Sequence, residues 1–291
     1  MVARSWRRVV NRALDRLTGH VVVRSSVVRK QRKAAARAVK QLAAANERAT
    51  AAVARERAAR KPKPPRPEFP ADVDEQAREV IRAVQPYTMT SMDKLFGLIS
   101  ATRYLARNDI PGAVVECGVW RGGSMHAVAR TLLSVDETSR HLYLFDTFQG
   151  MPPPSDKDVR HDGSSAAELL EARSRKSNIW AVATLDDVKE GFAQLAYPAG
   201  QVHFVEGLVE DTVPDNAPEQ IALLRLDTDW YESTRHELEH LYPRLVSGGV
   251  LIVDDYGYWR GSKQAMDEFL DATGERLLLL RAGTGRIAIK P

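Results

Sequence analysis

Four carboxylates follow two short apolar, β-branched runs in the second half of the sequence. Asp227 and Asp229 come directly after one run, and Asp254 and Asp255 end the other. If both runs are strands of a parallel sheet, their carboxyl ends meet at one edge, so we expect the four side chains to converge. Grouped like charges are unfavourable without a cation, and oxygen ligands suit Mg²⁺ better than zinc. The sequence therefore predicts a Mg²⁺ site at this edge, with Mn²⁺ as the second choice.

Each of these aspartates, taken alone, could cap a helix instead of binding a metal. Asp229 and Glu232 form a pair that resembles a capping box at a helix start. Capping explains Asp254 and Asp255 poorly, because two neighbouring carboxylates cannot both cap one helix. In extended backbone these neighbours would point to opposite faces, so both can bind one ion only where the strand has already ended.

A glycine-containing segment that begins at Glu116 follows another apolar run and opens a predicted helix. Gly118, Gly122 and Gly123 would permit a tight turn and close ligand approach. Glu116 would repel a phosphate, so the ligand is predicted to be cationic, as is the methionine part of S-adenosylmethionine with its ammonium and sulfonium. An ion pair between Glu116 and Arg121 is the structural alternative.

Asp146 ends a further predicted strand. An acidic side chain at this point can accept hydrogen bonds from both ribose hydroxyls of a nucleoside. The alternative is a turn or N-cap aspartate that only organises the loop after the strand. The glycine segment and Asp146 together predict a nucleoside site beside the carboxylate cluster.

The region after Pro70 alternates between β-branched runs and amphipathic stretches, which predicts an α/β fold with a doubly wound, mostly parallel sheet. The predicted strands are Ala113–Cys117, His141–Asp146, Gln201–Val205, Ile221–Leu226 and Gly249–Asp254. Helices are predicted at 122–134, 208–219, 232–245 and 261–272. Residues 276–281 and 286–290 predict a C-terminal antiparallel hairpin.

The net charge of +4 conceals two oppositely charged segments. Residues 1–70 contain 19 Lys and Arg against 4 Asp and Glu, whereas residues 71–291 contain 23 against 34. The basic charge therefore lies in an appendage and not around the predicted site, so nucleic acid is not expected as a substrate. The predicted domains are a basic helical arm with a Pro-rich linker, 1–70, and a catalytic domain, 71–291.

Three segments make up the predicted arm. Residues 4–17 form a basic amphipathic pattern, which suits either peripheral contact with an anionic membrane or docking onto another subunit. Residues 27–60 predict a long helix, which is either a solvated arm or a thin coiled-coil seam through Val39, Asn46 and Val53. Residues 61–70 are rich in proline and predict an extended spacer. A homo-oligomer joined through the N-terminal helices is the expected assembly.

The sequence has one cysteine, Cys117, which excludes an internal disulfide and a multi-cysteine zinc site. It contains no apolar run long enough to span a membrane and no signal-peptide pattern. We expect a cytoplasmic protein, with peripheral contact at the inner membrane surface if residues 4–17 bind lipid.

The assembled motifs resemble the macrocin-type family of sugar O-methyltransferases, which modify antibiotic deoxysugars and related bacterial glycans. The resemblance covers about residues 86–291 and is carried by five motifs in order, at 87–91, 115–124, 145–152, 224–234 and 252–257. The sequence departs from the family pattern at Thr228, where glycine is common, and at Trp230, where a smaller residue is common. The methyltransferase-type sheet would then have an S-adenosylmethionine site and a metal site at one edge.

The resemblance implies a role for each candidate residue. Met89 and Ser91 would approach the methionine end of S-adenosylmethionine. The remaining cofactor-binding candidates are Glu116, Gly118, Arg121, Gly122, Gly123, Ser124 and Asp146. Asp227, Asp254 and Asp255 would bind Mg²⁺, and Asp229 would be the general base that takes the proton of the accepting hydroxyl.

The expected acceptor is a hydroxyl of a sugar-containing small molecule or glycan. Methylation of a catechol or another phenol is a second enzymatic reading, and a pocket with apolar walls would favour it. A non-catalytic protein that binds a nucleotide and assembles through its arm is the third. Residues 150–184 are too long for a simple connection and suggest a lid over the substrate, with His161, Trp180 and Trp259 as candidates for stacking on a sugar.

Overall fold

The computed structural model describes residues 27, 29–52 and 68–291. The chain divides into two units, Met1–Glu68 and Phe69–Pro291. In the first unit, residues 29–52 form a helix, α1, whose residues are all exposed, including Val39 at 69% and Leu42 at 76%. The predicted amphipathic helix at 4–17, most of the spacer at 61–70 and Val53 lie outside the described residues. Whether α1 is a solvated arm or a seam stays a prediction.

The second unit is built on one seven-stranded sheet with the order β3-β2-β1-β4-β5-β7-β6. Strands β1 to β5 are parallel, and β7 pairs antiparallel with both β5 and β6. The strands are β1 Ala113–Cys117, β2 Leu142–Asp146, β3 Val202–Glu206, β4 Ile221–Leu226, β5 Leu245–Val253, β6 Leu280–Ala282 and β7 Gly285–Ile289. The predicted fold class, five parallel strands closed by an antiparallel hairpin, is confirmed.

Two strands differ from their predictions by several residues. β6 covers Leu280–Ala282, whereas 276–281 was predicted, because residues 276–279 do not join the sheet, and the other difference is at β5. This strand begins at Leu245, four residues before the predicted start, and ends at Val253 rather than at Asp254. Both Asp254 and Asp255 therefore follow the strand and lie in a turn. The early end matters because the alternating direction of side chains in a strand no longer applies to these two residues.

Helices cover both faces of the sheet. They are α2 Glu75–Val84, α3 Met92–Arg107, α4 Gly123–Leu133, α5 Ala166–Glu171, α6 Leu185–Ala193, α7 Val209–Thr212, α8 Tyr231–Leu241 and α9 Arg260–Thr273. One core packs α3, α4 and α6 against the sheet face that contains Val114 and Leu223. The opposite core packs α8 and α9 against the face that contains Val115 and Leu224. α2 adds a third layer against α3 and α4.

Helices α2, α3, α5 and α6 were not predicted from the sequence. Their ends follow ordinary capping chemistry: Asp74 accepts from the Ala77 amide at the start of α2, and Thr184 and Asp187 form a capping box at the start of α6. The predicted helix at 208–219 shortens to one turn, α7, because Pro214 and Pro218 lack the amide donors that a helix needs.

No helix within the part of the chain that the structure describes has both the length and the apolar character required to cross a membrane.

Candidate functional site

A cavity of about 1030 Å³ opens at the carboxyl ends of β1, β2, β4 and β5. This is the edge at which open α/β sheets bind ligands. The volume lies at the upper end of the range for small-molecule pockets, so it can hold two ligands together. The predicted site residues on its lining are Met89, Ser91, Gly118, Asp146, Asp227, Asp229, Asp254 and Asp255.

The glycine loop joins β1 to α4 and brings the two halves of the cavity together. Gly118 has φ +83°, and a Cβ at this position would lie 2.2 Å from the Asp227 carbonyl oxygen. A Cβ at Gly123 would lie 2.5 Å from the Tyr87 carbonyl oxygen. Any side chain at either position would therefore push the loop away from the segments that contribute to the site.

Asp146 holds this loop in place through backbone amides. Its Oδ2 accepts from Val119 N at 2.6 Å and from Trp120 N at 3.0 Å, and its Oδ1 accepts from Phe148 N at 2.7 Å. The turn-organising alternative for Asp146 is therefore satisfied in the structure. Oδ2 already accepts from two amides, whereas Oδ1 accepts from one and keeps a further lone pair; Asp146 also lines the cavity, so a ribose contact remains a prediction.

Glu116 lies beneath the loop and is 1% exposed. Its partner is Arg225, whose Nη1 lies 2.5 Å from Glu116 Oε1, and not Arg121 as the alternative interpretation held. Glu116 Oε2 is buried and has no hydrogen-bond partner among the described residues. Burial raises the pKa of Glu116 to about 7, although the Arg225 guanidinium opposes the shift.

Five predicted cofactor residues do not line the cavity. They are Glu116, Arg121, Gly122, Gly123 and Ser124. Arg121 is exposed, donates to the Pro86 carbonyl oxygen at 2.8 Å and covers the Tyr87 ring. The glycines and Ser124 shape the start of α4, where Ser124 Oγ lies 3.4 Å from Thr90 Oγ1.

Asp227, Asp254 and Asp255 form a cluster in which one carboxylate oxygen of each lies within 4.8 Å of the others. The early end of β5 allows both of its aspartates to face the same point. Three carboxylates at this spacing are a donor set that fits a divalent cation with oxygen ligands. Burial, with mutual repulsion, raises the pKa of Asp227 and of Asp255.

Two cations also contact this cluster. Arg225 Nη1 lies 2.6 Å from Asp227 Oδ2, and Arg225 Nη2 lies 2.6 Å from Asp254 Oδ1. Lys94 Nζ lies 2.5 Å from Asp254 Oδ2 and 3.9 Å from Asp255 Oδ1. Burial favours the neutral form of Asp254, but Arg225 and Lys94 outweigh it and lower the pKa of this carboxyl.

Asp229 lies at the centre of a tight turn. Its φ is +70°, and Trp230 N donates to the Thr228 carbonyl oxygen at 2.8 Å across it. A three-residue turn with this central φ is rare and strained, and such strain clusters at functional sites. Burial raises the pKa of Asp229 to about 7. The helix start uses another residue, because Asp158 Oδ1 accepts from Tyr231 N, so Asp229 is not the cap of α8.

Arg225 and Lys94 were not predicted as site residues from the sequence. Arg225 had a signal, since it is the only charged residue in the apolar run 221–226 and a buried charge requires a partner. Lys94 had none, because α3 was not predicted and the lysine reaches the cluster only through the packing of that helix.

The segment 150–184 is attached to the rest of the domain at its first half. Buried Asp158 accepts from Ser155 N as well as from Tyr231 N, and Val159 accepts from Arg260 N. A small core joins it to Trp230 and Trp259. Met151, Pro152, Asn178, Ile179 and Ala181 line the cavity. Of the three aromatic candidates, Trp259 lines the cavity, whereas His161 and Trp180 do not.

Comparison with known proteins agrees with this geometry. A family model described as macrocin-O-methyltransferase matches residues 16–277, which extends into the arm. Demethyldecarbamoylnovobiocin O-methyltransferase of Streptomyces niveus is 34% identical over 200 residues, 68% of this chain and 74% of that enzyme.

Two further proteins each match more than half of this chain. The 8-demethyl-8-(2,3-dimethoxy-alpha-L-rhamnosyl)-tetracenomycin-C 4'-O-methyltransferase of Streptomyces olivaceus is 36% identical over 170 residues, 58% of this chain and 62% of that enzyme. The solved structure of the O-methyltransferase NovP is 30% identical with a TM-score of 0.62, and the match covers 70% of this chain and 82% of that one.

Proposed function

Because the chain belongs to the macrocin-O-methyltransferase family, we propose that it transfers a methyl group from S-adenosylmethionine to a hydroxyl of a sugar in a glycoside, with Mg²⁺ held by Asp227, Asp254 and Asp255. The predicted membership of the family is confirmed. The donor, the metal and the acceptor are the parts of this proposal that experiment must decide.

One observation carries the proposal: a single cavity is lined by both Asp146 and the carboxylate cluster. A methyl transfer needs the donor and the acceptor in line and in contact. Asp146 and the loop at Gly118 mark a nucleoside position on one side, and the aspartates mark the position of the accepting hydroxyl on the other. The two halves meet where a Gly118 side chain would touch the Asp227 backbone.

The residues around the donor position suit a cation. Glu116 lies below the cavity floor with its Oε2 buried without a partner among the described residues, and a cationic ligand above it would favour the carboxylate form. Met89 and Ser91 line the cavity at the start of α3, where they would face the methionine end of the donor. Asp146 would accept from the ribose through the lone pair of Oδ1 that the loop amides leave.

The acceptor half of the cavity contains the candidate base and the predicted metal ligands. Mg²⁺ bound by the three aspartates would orient adjacent hydroxyls and lower the pKa of the one that reacts. Asp229 lies beside Asp255 in the strained turn, where its carboxylate would accept the hydroxyl proton. No covalent intermediate on the protein is required.

The outer wall of the cavity is apolar, with Met151, Pro152, Ile179 and Trp259 among its residues. We propose that this wall contacts the aglycone while the sugar reaches the aspartates. A relative whose name specifies a rhamnosyl acceptor supports a sugar. The same apolar wall also suits a catechol or another phenol, which is therefore the second candidate acceptor.

The test is a methyl-acceptor screen with the full chain, S-adenosylmethionine and added Mg²⁺. Glycosides with adjacent free hydroxyls and apolar aglycones are compared with catechols of similar size, and methylated products are detected by mass spectrometry. We expect methylation of glycosides that stops with EDTA and returns with Mg²⁺ or Mn²⁺. Transfer to catechols alone would overturn the sugar, and transfer that is indifferent to EDTA would overturn the metal.

A further inference from the structure

Arg225 is the largest fully buried side chain of the domain, at 2% exposure, and it lies in a strand that is otherwise apolar. Removing a guanidinium from water is expensive unless charged partners and hydrogen bonds replace the water. Both terminal nitrogens of Arg225 have such partners. The identity of these partners suggests what the residue does.

The partners belong to both halves of the cavity. Nη1 contacts Glu116 Oε1 at 2.5 Å and Asp227 Oδ2 at 2.6 Å, and Nη2 contacts Asp254 Oδ1 at 2.6 Å. Nη2 also lies 3.3 Å from Thr90 Oγ1, in the segment that contains Met89 and Ser91. One planar group therefore joins the carboxylate below the donor position to two of the three predicted metal ligands.

The sheet register explains how the Arg225 side chain reaches both halves of the cavity. Arg225 pairs with Glu116 on β1 and with Ile252 on β5, so its side chain lies on the same sheet face as Glu116. The fork of the guanidinium then reaches beyond both strands to the aspartates that follow β4 and β5. A lysine has one nitrogen and cannot present two donors in fixed directions.

The guanidinium engages only one oxygen of each carboxylate that it contacts. It binds Oε1 of Glu116 and leaves Oε2 unpartnered among the described residues, and it binds Oδ2 of Asp227 and Oδ1 of Asp254, whose Oδ2 contacts Lys94. Residues that orient metal ligands from behind commonly change metal affinity by about 10-fold to 100-fold when they are substituted.

We propose that Arg225 is a positioning residue that holds the donor half and the metal half in one geometry, so that the affinities for the donor and for the metal both depend on it. This inference rests on the proposed function. It predicts that loss of the guanidinium weakens both the binding of the donor and the binding of the metal, even when the positive charge is kept.

The variant that tests this is Arg225→Lys, measured without turnover. Binding of S-adenosylhomocysteine is measured by calorimetry in metal-free buffer, and binding of Mn²⁺ by electron paramagnetic resonance without the nucleoside. We expect each dissociation constant to rise about tenfold. An unchanged dissociation constant for either ligand would overturn the proposal, because a role confined to one half or to charge alone gives that result.

Arg140→Lys is the matched control. Arg140 is also buried and donates to the carbonyl oxygens of Ile110 and Gly112 and to Glu137, all far from the cavity edge of the sheet. Its substitution should lower the melting temperature and leave both dissociation constants within twofold. If Arg225→Lys does not fold, Arg225→Gln, which keeps a planar amide donor without the charge, takes its place, and an unchanged dissociation constant for either ligand overturns the proposal there too.

The wild-type titrations separate the two proposals. If the wild-type chain binds neither S-adenosylhomocysteine nor Mn²⁺, the proposed function fails. If it binds both and the Arg225 variant matches it in both, the proposed function stands and the role of Arg225 is wrong.

Discussion

The carboxylates in the two halves of the cavity have different kinds of hydrogen-bond and charge partners. On the donor side, Asp146 accepts from three backbone amides, so the loop itself provides the counter-charge. On the metal side, Asp227, Asp254 and Asp255 have side-chain cations as partners, Arg225 and Lys94. Backbone amides are held by the fold, whereas three carboxylates with two cations leave an excess of negative charge. The donor half is thus organised in advance, and the metal half is suited to an added cation.

The largest effect should come from Asp227→Asn, which removes one of the predicted ligands without changing its shape. We expect turnover to fall by about 10³-fold or more, since metal catalysis supplies several kcal/mol of transition-state stabilisation. The affinity for S-adenosylhomocysteine should stay within a few fold. Product formation by mass spectrometry and calorimetry measure the two quantities. Turnover near the wild-type rate would show that the aspartate is not a catalytic ligand.

Asp229→Asn should separate the base from the metal. Asparagine also tolerates the left-handed conformation at φ +70°, so the turn should be preserved. Loss of a general base commonly lowers the rate by about 10²-fold to 10⁴-fold, and we expect kcat to fall within that range. Mn²⁺ affinity, followed by electron paramagnetic resonance, should change little. A large loss of Mn²⁺ binding with a matching loss of kcat would instead make Asp229 a ligand.

The donor half also packs against a buried base, His126, whose ring contacts Tyr87 and Phe192. Burial lowers the pKa of His126 from 6.5 to about 4. Between these values the unfolded imidazole binds a proton and the folded one does not, so the free energy of unfolding should decrease as the pH falls from about 6.5 to about 4. The loss from this residue is up to about 3 kcal/mol.

Denaturant unfolding across this pH range tests the prediction. His126→Leu should flatten the pH dependence, and His161→Leu at an exposed position should leave it unchanged. Equal slopes for the His126 variant and the wild type would assign the pH dependence to other groups.

The smallest effect is expected for Asp146→Asn. The amide group has one acceptor oxygen, so at least one of the three loop amides would lose its partner. We expect the dissociation constant for S-adenosylhomocysteine to rise about tenfold. Mn²⁺ binding should remain within twofold, because Asp146 does not contact the carboxylate cluster. A comparable loss of both affinities would contradict the division of the cavity into two halves.

Much of the fold followed from local pattern. Strands β1 and β4 have their predicted bounds, because both are short, buried and apolar. Helices α2 and α3 were missed because they precede the first strand, where the alternation of strand and helix gave no guide. The segment 150–184 was predicted to cover the substrate because it is long and polar, but only the tertiary structure shows that its buried Asp158 attaches it to the start of α8.

The sequence by itself determined the fold class, the edge of the sheet at which the aspartates lie and the family, since strand-end motifs in a fixed order depend only on local pattern. Tertiary structure alone decided that Asp254 and Asp255 both follow β5, that Glu116 pairs with Arg225 rather than Arg121, and that Lys94 reaches the cluster. These outcomes depend on where neighbouring strands end and on how a distant helix packs. A long side chain finds its partner across space, and no spacing in the sequence records that distance.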